Sequence, residues 1–555
     1  MTRKILITAA LPYANGPAHL GHFRSTYLPP NTFARYCKLK GYETLYVCAT
    51  DEHGTPIEVK ALQHGLRPEE FTLQWHERWA ADFEKARVQP DIFYSTNSPE
   101  NKELTTLLYQ RLKEKGYFYK KTVKQTYCEK DGRFLPDRFV KGACPHCNAP
   151  DQYGDSCEAC GRAYTPGELI NPHCSICGQK PVVREVEHVF FKLSAFTSFL
   201  REWLQGTPGL PKDVTAYVLG WVKQGLQDWD LTRDGPYYGF EIPGEPGKYF
   251  YVWFDAPIGY IASTQAWAQQ HGRNWEEWWS PESEAEIIHF IGKDIVYHHF
   301  LFWPSMLKGA GVKLPARIPV RGYLNLEEAK MSKSRGTLIE VSEFLQKYPA
   351  DFLRYYLTSV TPNNVSDGSF SWKEFRAKIN NEFLDAFGNY VYRVLSFLER
   401  RFGGTIPELG ALEPIDEEFR KKLEAFAGEL EPSYESLEFK SALEKWLAFA
   451  GTCNQYFSAR EPWKMEKQKE GSSATVMHLA AKAVYALALA SLPVTPDAGE
   501  KVIAQLNLAE APCRWGDYSA FKAGLKLGKI EIIYPKLEEE EAVPEHPKEP
   551  GKKMI

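Results

Sequence analysis

Nowhere in its 555 residues does the chain carry an uncharged run long enough to cross a bilayer, so no membrane-spanning helix is expected. No secretory leader is expected either. Arg3 and Lys4 precede an apolar run, but Pro12 and Asn15 break it at once, so the expected location is cytoplasmic. An excess of one charge is also missing. With 67 Lys and Arg against 71 Asp and Glu, the net charge is −4, which gives no whole-molecule attraction to nucleic acid. An RNA partner must therefore meet a local basic surface, such as that of Lys330, Lys333 and Arg335. There is no internal repeat, which excludes a solenoid or propeller. The composition is otherwise globular, 43% hydrophobic and 25% charged, and the length allows roughly three or four domains.

Cysteine, by contrast, is present and patterned. Six of the eleven fall in C-x-x-C pairs, which without an export signal means metal rather than disulfides. Cys144-x2-Cys147 and Cys157-x2-Cys160 have the spacing of two knuckles on one tetrahedral zinc, a closed structural site with no open position for catalysis. Cys128 and the pair Cys174-x2-Cys177 supply three ligands for a second zinc, with Asp131 or His173 as the fourth. All of these ligands lie between residues 117 and 230, where the pattern around them is interrupted. Metal binding is expected to supply much of that insertion's folding free energy.

On either side of the insertion, strand and helix signals alternate. Lys4-Ile-Leu-Ile-Thr-Ala-Ala reads as a short buried strand, Pro12, Asn15, Gly16 and Pro17 as a loop, and His19-Leu20-Gly21-His22 as a helix start. A strand feeding a helix N-terminus is an anion site. Two histidines there are able to donate to phosphate oxygens, and Gly21 permits close approach. Asp51 follows the second strand, at residues 41–48, where a parallel sheet faces its ligand and a carboxylate suits an ammonium group. Residues 249–260 and 288–303 combine strands with aromatics, so Trp253, Tyr260, His299 and Trp303 are expected around one apolar pocket. Arg233 is a candidate carboxylate partner. Lys330-Met331-Ser332-Lys333-Ser334 then forms a cationic loop suited to folding over a polyphosphate. Beyond about residue 350 helices dominate. Phe375, Ile379, Phe383, Phe387, Val391 and Val394 mark one long apolar face.

HLGH with KMSKS resembles the class I aminoacyl-tRNA synthetases. The stretches ALPYANGPAHLGH, YVWFDAPIGY, HFIGKDIVY and AKMSKSRGT, with the knuckles, resemble the methionyl-tRNA synthetase family from Lys4 to about Leu537. The fold implied is an α/β Rossmann-type parallel-sheet catalytic domain with a zinc-knuckle insertion, followed by an all-α helix bundle. The halves of the catalytic domain are expected at 1–116 and 231–325, around the connective insertion at 117–230. A stem-contact segment at 326–385, a helical anticodon-binding domain at 386–535 and a charged disordered tail at 536–555 complete the chain.

The chemistry implied is activation of L-methionine by ATP, with Mg2+, followed by transfer to tRNA(Met). By resemblance His19, His22, Gly292, Asp294 and Lys333 hold ATP, and Lys330 and Arg233 assist the reacting groups. Leu11, Tyr13, Asp51, Trp253, Ala256, Pro257, Tyr260, Ile295 and His299 hold methionine, and Asn389, Arg393 and Trp463 read the CAU anticodon. Asp131 stands where some relatives have a cysteine, which leaves the second zinc open. A monomer is implied, with a separate tRNA-binding helper protein as a further expectation. Three rival readings share some of these features: a paralogue that forms the adenylate without charging tRNA, a simple nucleotidyltransferase, and a non-enzymatic RNA-binding scaffold. The pairing of HLGH with the lysine loop and the anticodon residues disfavours all three.

Overall fold

The computed structural model describes every residue except Met1, 137–138, 155–156, 158, 161, 163, 165, 327–328, 331–337, 468–471 and 539–555, with backbone alone at 166, 329–330 and 466–467. It divides into two compact units. The first comprises 1–348 with 361–368, the second 349–360 with 369–555.

The first unit is built on a parallel sheet. Among the described residues its strands are Lys4–Ala9, Glu43–Thr50, Ile92–Ser95, Glu286–Gly292 and Val320–Arg321. Their spatial order, in chain-order numbers, is 3-2-1-4-5. Ile5, Leu6 and Ile7 are all fully buried. A central strand covered on both faces has no water-facing side, so it reads as a continuous apolar run rather than an alternation. Chain order reverses between Lys4–Ala9 and Glu286–Gly292, and such a switch point opens a crevice at the strands' carboxyl ends. Thr8 Oγ1 lies 2.6 Å from His289 Nδ1 across this pair.

After the first strand the chain turns into a helix that is regular at Leu20–His22, wide at Phe23–Tyr27 and regular again at Leu28–Leu39. Pro29 and Pro30 explain the wide turn. Neither has an N–H to give to the carbonyls of Ser25 and Thr26, so the ladder cannot run straight through. The Ser25 hydroxyl instead donates back to the Gly21 carbonyl at 3.0 Å.

The insertion leaves and re-enters as one long antiparallel pair, Phe118–Cys128 against Val182–Phe191, in register from Phe118 with Phe191 to Tyr127 with Val182. Between these arms lies a small sheet of Gln152–Tyr153, Val140–Ala143 and Ile170–Cys174. The helices Thr197–Gly206 and Lys212–Gln224 then lead back toward the parallel sheet.

The second unit is helical. The expected apolar face is buried throughout, from Phe375 to Val394. Its steps of four residues (375, 379, 383, 387, 391) overrun a 3.6-residue period, and the helix answers by widening at Lys378–Gly388 before resuming as Asn389–Phe402. The helix Ser472–Ser491 is long and apolar enough to cross a membrane, but 83% of its most apolar 18-residue window is buried. It packs with Phe439–Arg460 and Pro496–Gln505. The returning segment docks on the helices Pro496–Gln505 and Ala350–Ser359. Gly528 donates to the Gln505 carbonyl, and the Tyr534 hydroxyl reaches Asp351 at 3.2 Å.

Candidate active site and metal centres

A cavity of about 900 Å³ opens at the carboxyl ends of the parallel strands. Its lining brings together His19, His22, Arg233, Gly292 and Asp294 with Leu11, Tyr13, Asp51, Trp253, Ala256, Pro257, Tyr260, Ile295 and His299. Trp303, expected in the same pocket, is not part of it. It is 1% exposed and donates from Nε1 to His289 Nε2 at 3.0 Å, one layer behind Tyr260. Its indole N–H needs a buried acceptor, and the core supplies one. The Lys330 backbone closes a hairpin with Asn325, but its side chain and the whole of Lys333 lie outside the described residues.

At one end of the cavity the His19 and His22 rings stack with centroids 3.5 Å apart. His22 Nδ1 accepts the His19 backbone N–H at 3.3 Å, so a neutral His22 carries its proton on Nε2 and remains a donor there. Gly21 leaves room for this stack. A Cβ at that position would come within 3.0 Å of the His19 ring. The helix start is less bare than the sequence suggests, because the Leu20 N–H is given to the Ile339 carbonyl. Val341 in turn donates to Ala18, so the chain emerging from 331–337 is pinned beside HLGH.

At the other end is an uncharged slot. His299 donates from Nδ1 to the Ile295 carbonyl at 3.1 Å, and its Nε2 lies 2.9 Å from the Tyr260 hydroxyl, which therefore donates. Burial pushes the His299 pKa down to about 4, so the ring is neutral in ordinary solution. Trp253 lies flat on His298 at 3.7 Å. Gly259 lets Leu11 close in, since a Cβ there would be 2.9 Å from Leu11 Cδ1.

Two charged groups border the slot. Asp51 holds a buried Oδ1 with no hydrogen-bond partner. Burial first, and then the nearby Asp255 carboxylate, push its pKa well above the usual range, against a smaller opposing pull from His53. His53 and Asp255 form a buried pair at 2.6 Å below it. Arg233 lies on the Tyr251 ring, 3.9 Å from its centroid, and donates to its neighbour Thr232's carbonyl. No carboxylate among the described residues pairs with it. Tyr237, Tyr251 and His188 also line the cavity. Sequence reasoning missed them, as it missed Asp230 and Asp234, for which the alternation of polar residues in Trp229–Asp234 was a usable signal.

Among the described residues two clusters bring four metal-ligating atoms within 4.8 Å of one another. In Cys144, Cys147, Cys157 and Cys160 the measured Sγ–Sγ pairs are 3.8 and 3.5 Å. Sulfurs at the corners of a zinc tetrahedron with 2.3 Å bonds lie about 3.8 Å apart, so the set fits. The second cluster is Cys128, Asp131, Cys174 and Cys177, with Asp131 Oδ2 at 3.1 Å from both Cys128 and Cys174. His173 is not in it. It neighbours Cys174 on the strand Ile170–Cys174, where successive side chains point to opposite faces, and its Nδ1 lies near the Asn171 carbonyl.

In the helical unit Asn389 and Arg393 are both exposed, one turn apart on Asn389–Phe402. The Arg393 guanidinium lies 5.3 Å from the Phe457 ring, and Trp463 meets the same ring edge-on at 5.9 Å. Phe457 thus bridges the two.

Comparison with known proteins gives one consistent picture. The family described as "tRNA synthetases class I (M)" matches residues 5–395, and "Anticodon binding domain of methionyl tRNA ligase" matches 406–548. A methionine–tRNA ligase of Myxococcus xanthus is 42% identical over 97% of this chain and 77% of its own length. That of Methanopyrus kandleri is 41% identical, over 97% and 80%. The Mycobacterium tuberculosis methionyl-tRNA synthetase bound by methionyl-adenylate has the same fold, with a TM-score of 0.79 over 96% of this chain and 100% of that one, at 24% identity.

Proposed function

The chain belongs to the class I tRNA synthetases of the methionyl type, and from that membership we propose that it is a methionine–tRNA ligase. It activates L-methionine with ATP, giving methionyl-adenylate and pyrophosphate, and passes the methionyl group to the 3′ end of tRNA(Met), initiator and elongator. One observation carries this reading: a carboxylate with an unpartnered buried oxygen, Asp51, and an uncompensated cation, Arg233, border an uncharged aromatic slot. An amino-acid zwitterion with an apolar side chain supplies what each lacks. Aromatic walls suit a thioether, whose sulfur gains about 0.3–1.5 kcal/mol per ring contact.

In the first step a methionine carboxylate oxygen attacks the α-phosphorus, a P–O bond forms, and the bond to the β-phosphate oxygen breaks with pyrophosphate leaving. In the second a tRNA ribose hydroxyl attacks the acyl carbon and AMP leaves. No side-chain nucleophile is needed, so catalysis is positional and electrostatic. His19 and His22 hold phosphates, Gly292 and Asp294 the nucleotide, and Lys333 with Lys330 the departing pyrophosphate. Mg2+ arrives with ATP. Zinc in the four-cysteine cluster is structural, and the Cys128–Asp131–Cys174–Cys177 set takes a second zinc. Residues 326–385 meet the acceptor stem, and Asn389, Arg393 and Trp463 read the anticodon, arginine and tryptophan suiting unstacked bases. The enzyme acts as a monomer, with room for a separate tRNA-binding helper.

Methionine-dependent ATP–pyrophosphate exchange, measured with all twenty amino acids and homocysteine, tests the reading. Strong exchange with methionine and weak exchange with homocysteine are expected, because an apolar pocket discriminates one methylene by only about 1–3 kcal/mol. Exchange with a different amino acid alone refutes the slot assignment. Arg393→Ala should lose most tRNA charging while exchange stays intact, and unchanged charging removes the anticodon assignment. Gly21→Ala should displace His19 and lower kcat/KM for ATP by roughly 10- to 100-fold, with methionine binding, followed by tryptophan fluorescence, unchanged.

A further inference from the structure

Asp230 and Asp234 flank Arg233 in sequence and line the same cavity. One imidazole holds both. His188 is 2% exposed, with Nδ1 2.8 Å from Asp230 Oδ2 and Nε2 2.8 Å from Asp234 Oδ2. A ring set between two carboxylates donates from both nitrogens and is therefore an imidazolium. Lys248 closes the group, its Nζ 2.8 Å from Asp234 Oδ1. Two cations and two carboxylates thus balance among themselves. Arg233, on the same strand as Asp234, is left without an acidic partner among the described residues.

The strand geometry makes the arrangement rigid. Asp230 sits opposite Phe190 on the arm Val182–Phe191, and Thr232–Asp234 pairs with Lys248–Phe250. The Thr232 hydroxyl accepts the Val189 N–H at 2.8 Å, beside His188. His188, Asp230, Asp234 and Arg233 all line the cavity. Burial opposes protonation of His188, but the two carboxylates outweigh it and raise its pKa.

We propose that His188 is a positioning residue for the activation step, occupying Asp230 and Asp234 so that Arg233 keeps its charge for the substrate carboxylate and α-phosphate. This rests on the reading of Arg233 given above. Without His188 the Asp230 carboxylate loses its imidazolium partner and Asp234 keeps only Lys248, so an uncompensated negative charge in the shared cavity opposes the field of the guanidinium.

The test is exchange kinetics on the full chain, with thermal midpoints recorded beside them. Arg233→Gln alone tests the underlying reading, and full activity there refutes Arg233 rather than His188. His188→Gln should lower kcat roughly 10- to 100-fold with KM for ATP little changed. Adding Asp230→Asn and Asp234→Asn to it should restore kcat to within about fivefold of the parent, because no uncompensated carboxylate then opposes Arg233. A His188 that only stabilised the fold would shift the thermal midpoint and leave kcat of the folded enzyme near the parent's, so a kcat loss that the triple variant does not recover overturns the proposal. Full activity in His188→Gln does the same. If His188→Gln does not fold, Asp230→Asn/Asp234→Asn with His188 intact replaces it. That variant must keep kcat within about fivefold, and a larger loss overturns the proposal.

Discussion

In Asp51→Asn, kcat/KM for methionine in pyrophosphate exchange falls by roughly 10²- to 10³-fold, while the free protein becomes harder to unfold. The first half follows from the cost of breaking a buried ion pair, about 3–5 kcal/mol, at about 1.4 kcal/mol per factor of ten. The second half follows from the free site. Asp51 is desolvated, leaves Oδ1 without a donor and lies near Asp255. Its folded pKa is therefore raised above the unfolded value. A group shifted in that direction stabilises the fold below its unfolded pKa and loses this contribution as pH rises through the folded one. Above its raised folded pKa the ionised carboxylate is a liability that a bound ammonium relieves, and asparagine removes it. Melting curves across pH with and without methionine check both halves. The wild type should lose stability as pH rises above the ordinary carboxylate range and regain it with methionine, and Asp51→Asn should do neither. A variant that melts lower than the wild type at neutral pH, or exchanges normally, defeats the argument.

Much of this site was legible because its signals are local. Ile5–Ile7 announce a doubly covered strand, His19 and His22 a helix start, and the cysteine spacing two knuckles. Each is decided by residues a few positions apart. What escaped depends on partners far along the chain. His188 finds Asp230 and Asp234 only because a hairpin arm returns beside the strand at Trp229–Asp230. His53 meets Asp255 across 202 positions, and the Leu20 N–H is taken by Ile339. Trp303 looked like a wall of the pocket because an aromatic's spacing does not say which layer it occupies. The second cluster's fourth position had two candidates in sequence, Asp131 and His173, and it is Asp131 whose carboxylate lies within 4.8 Å of the three thiols.

Metal removal is the other large effect, and it should be confined to the insertion. The buried core around the cysteines is small: Leu135, Phe139, Val140, Tyr164 and Leu169, with Cys128, Cys144, Cys157 and Cys174 themselves. A core of that size does not hold a fold alone, whereas structural zinc contributes about 10–16 kcal/mol in small domains. Stripping metal with a chelator and a mercurial should therefore release zinc and expose residues 128–177 to rapid hydrogen exchange. The strands Lys4–Ala9 and Glu286–Gly292, buried in a different core, should remain protected. Pyrophosphate exchange should fall by roughly tenfold rather than vanish, since the cavity-lining residues nearest the cysteine clusters in sequence, Gln125, Phe134 and Pro136, carry no charge. Asp131→Ala separates the two clusters, lowering bound zinc from two per chain to one and leaving the Cys144 cluster loaded. Protection of residues 128–177 that is unchanged after the metal is gone would mean that the insertion folds by packing alone.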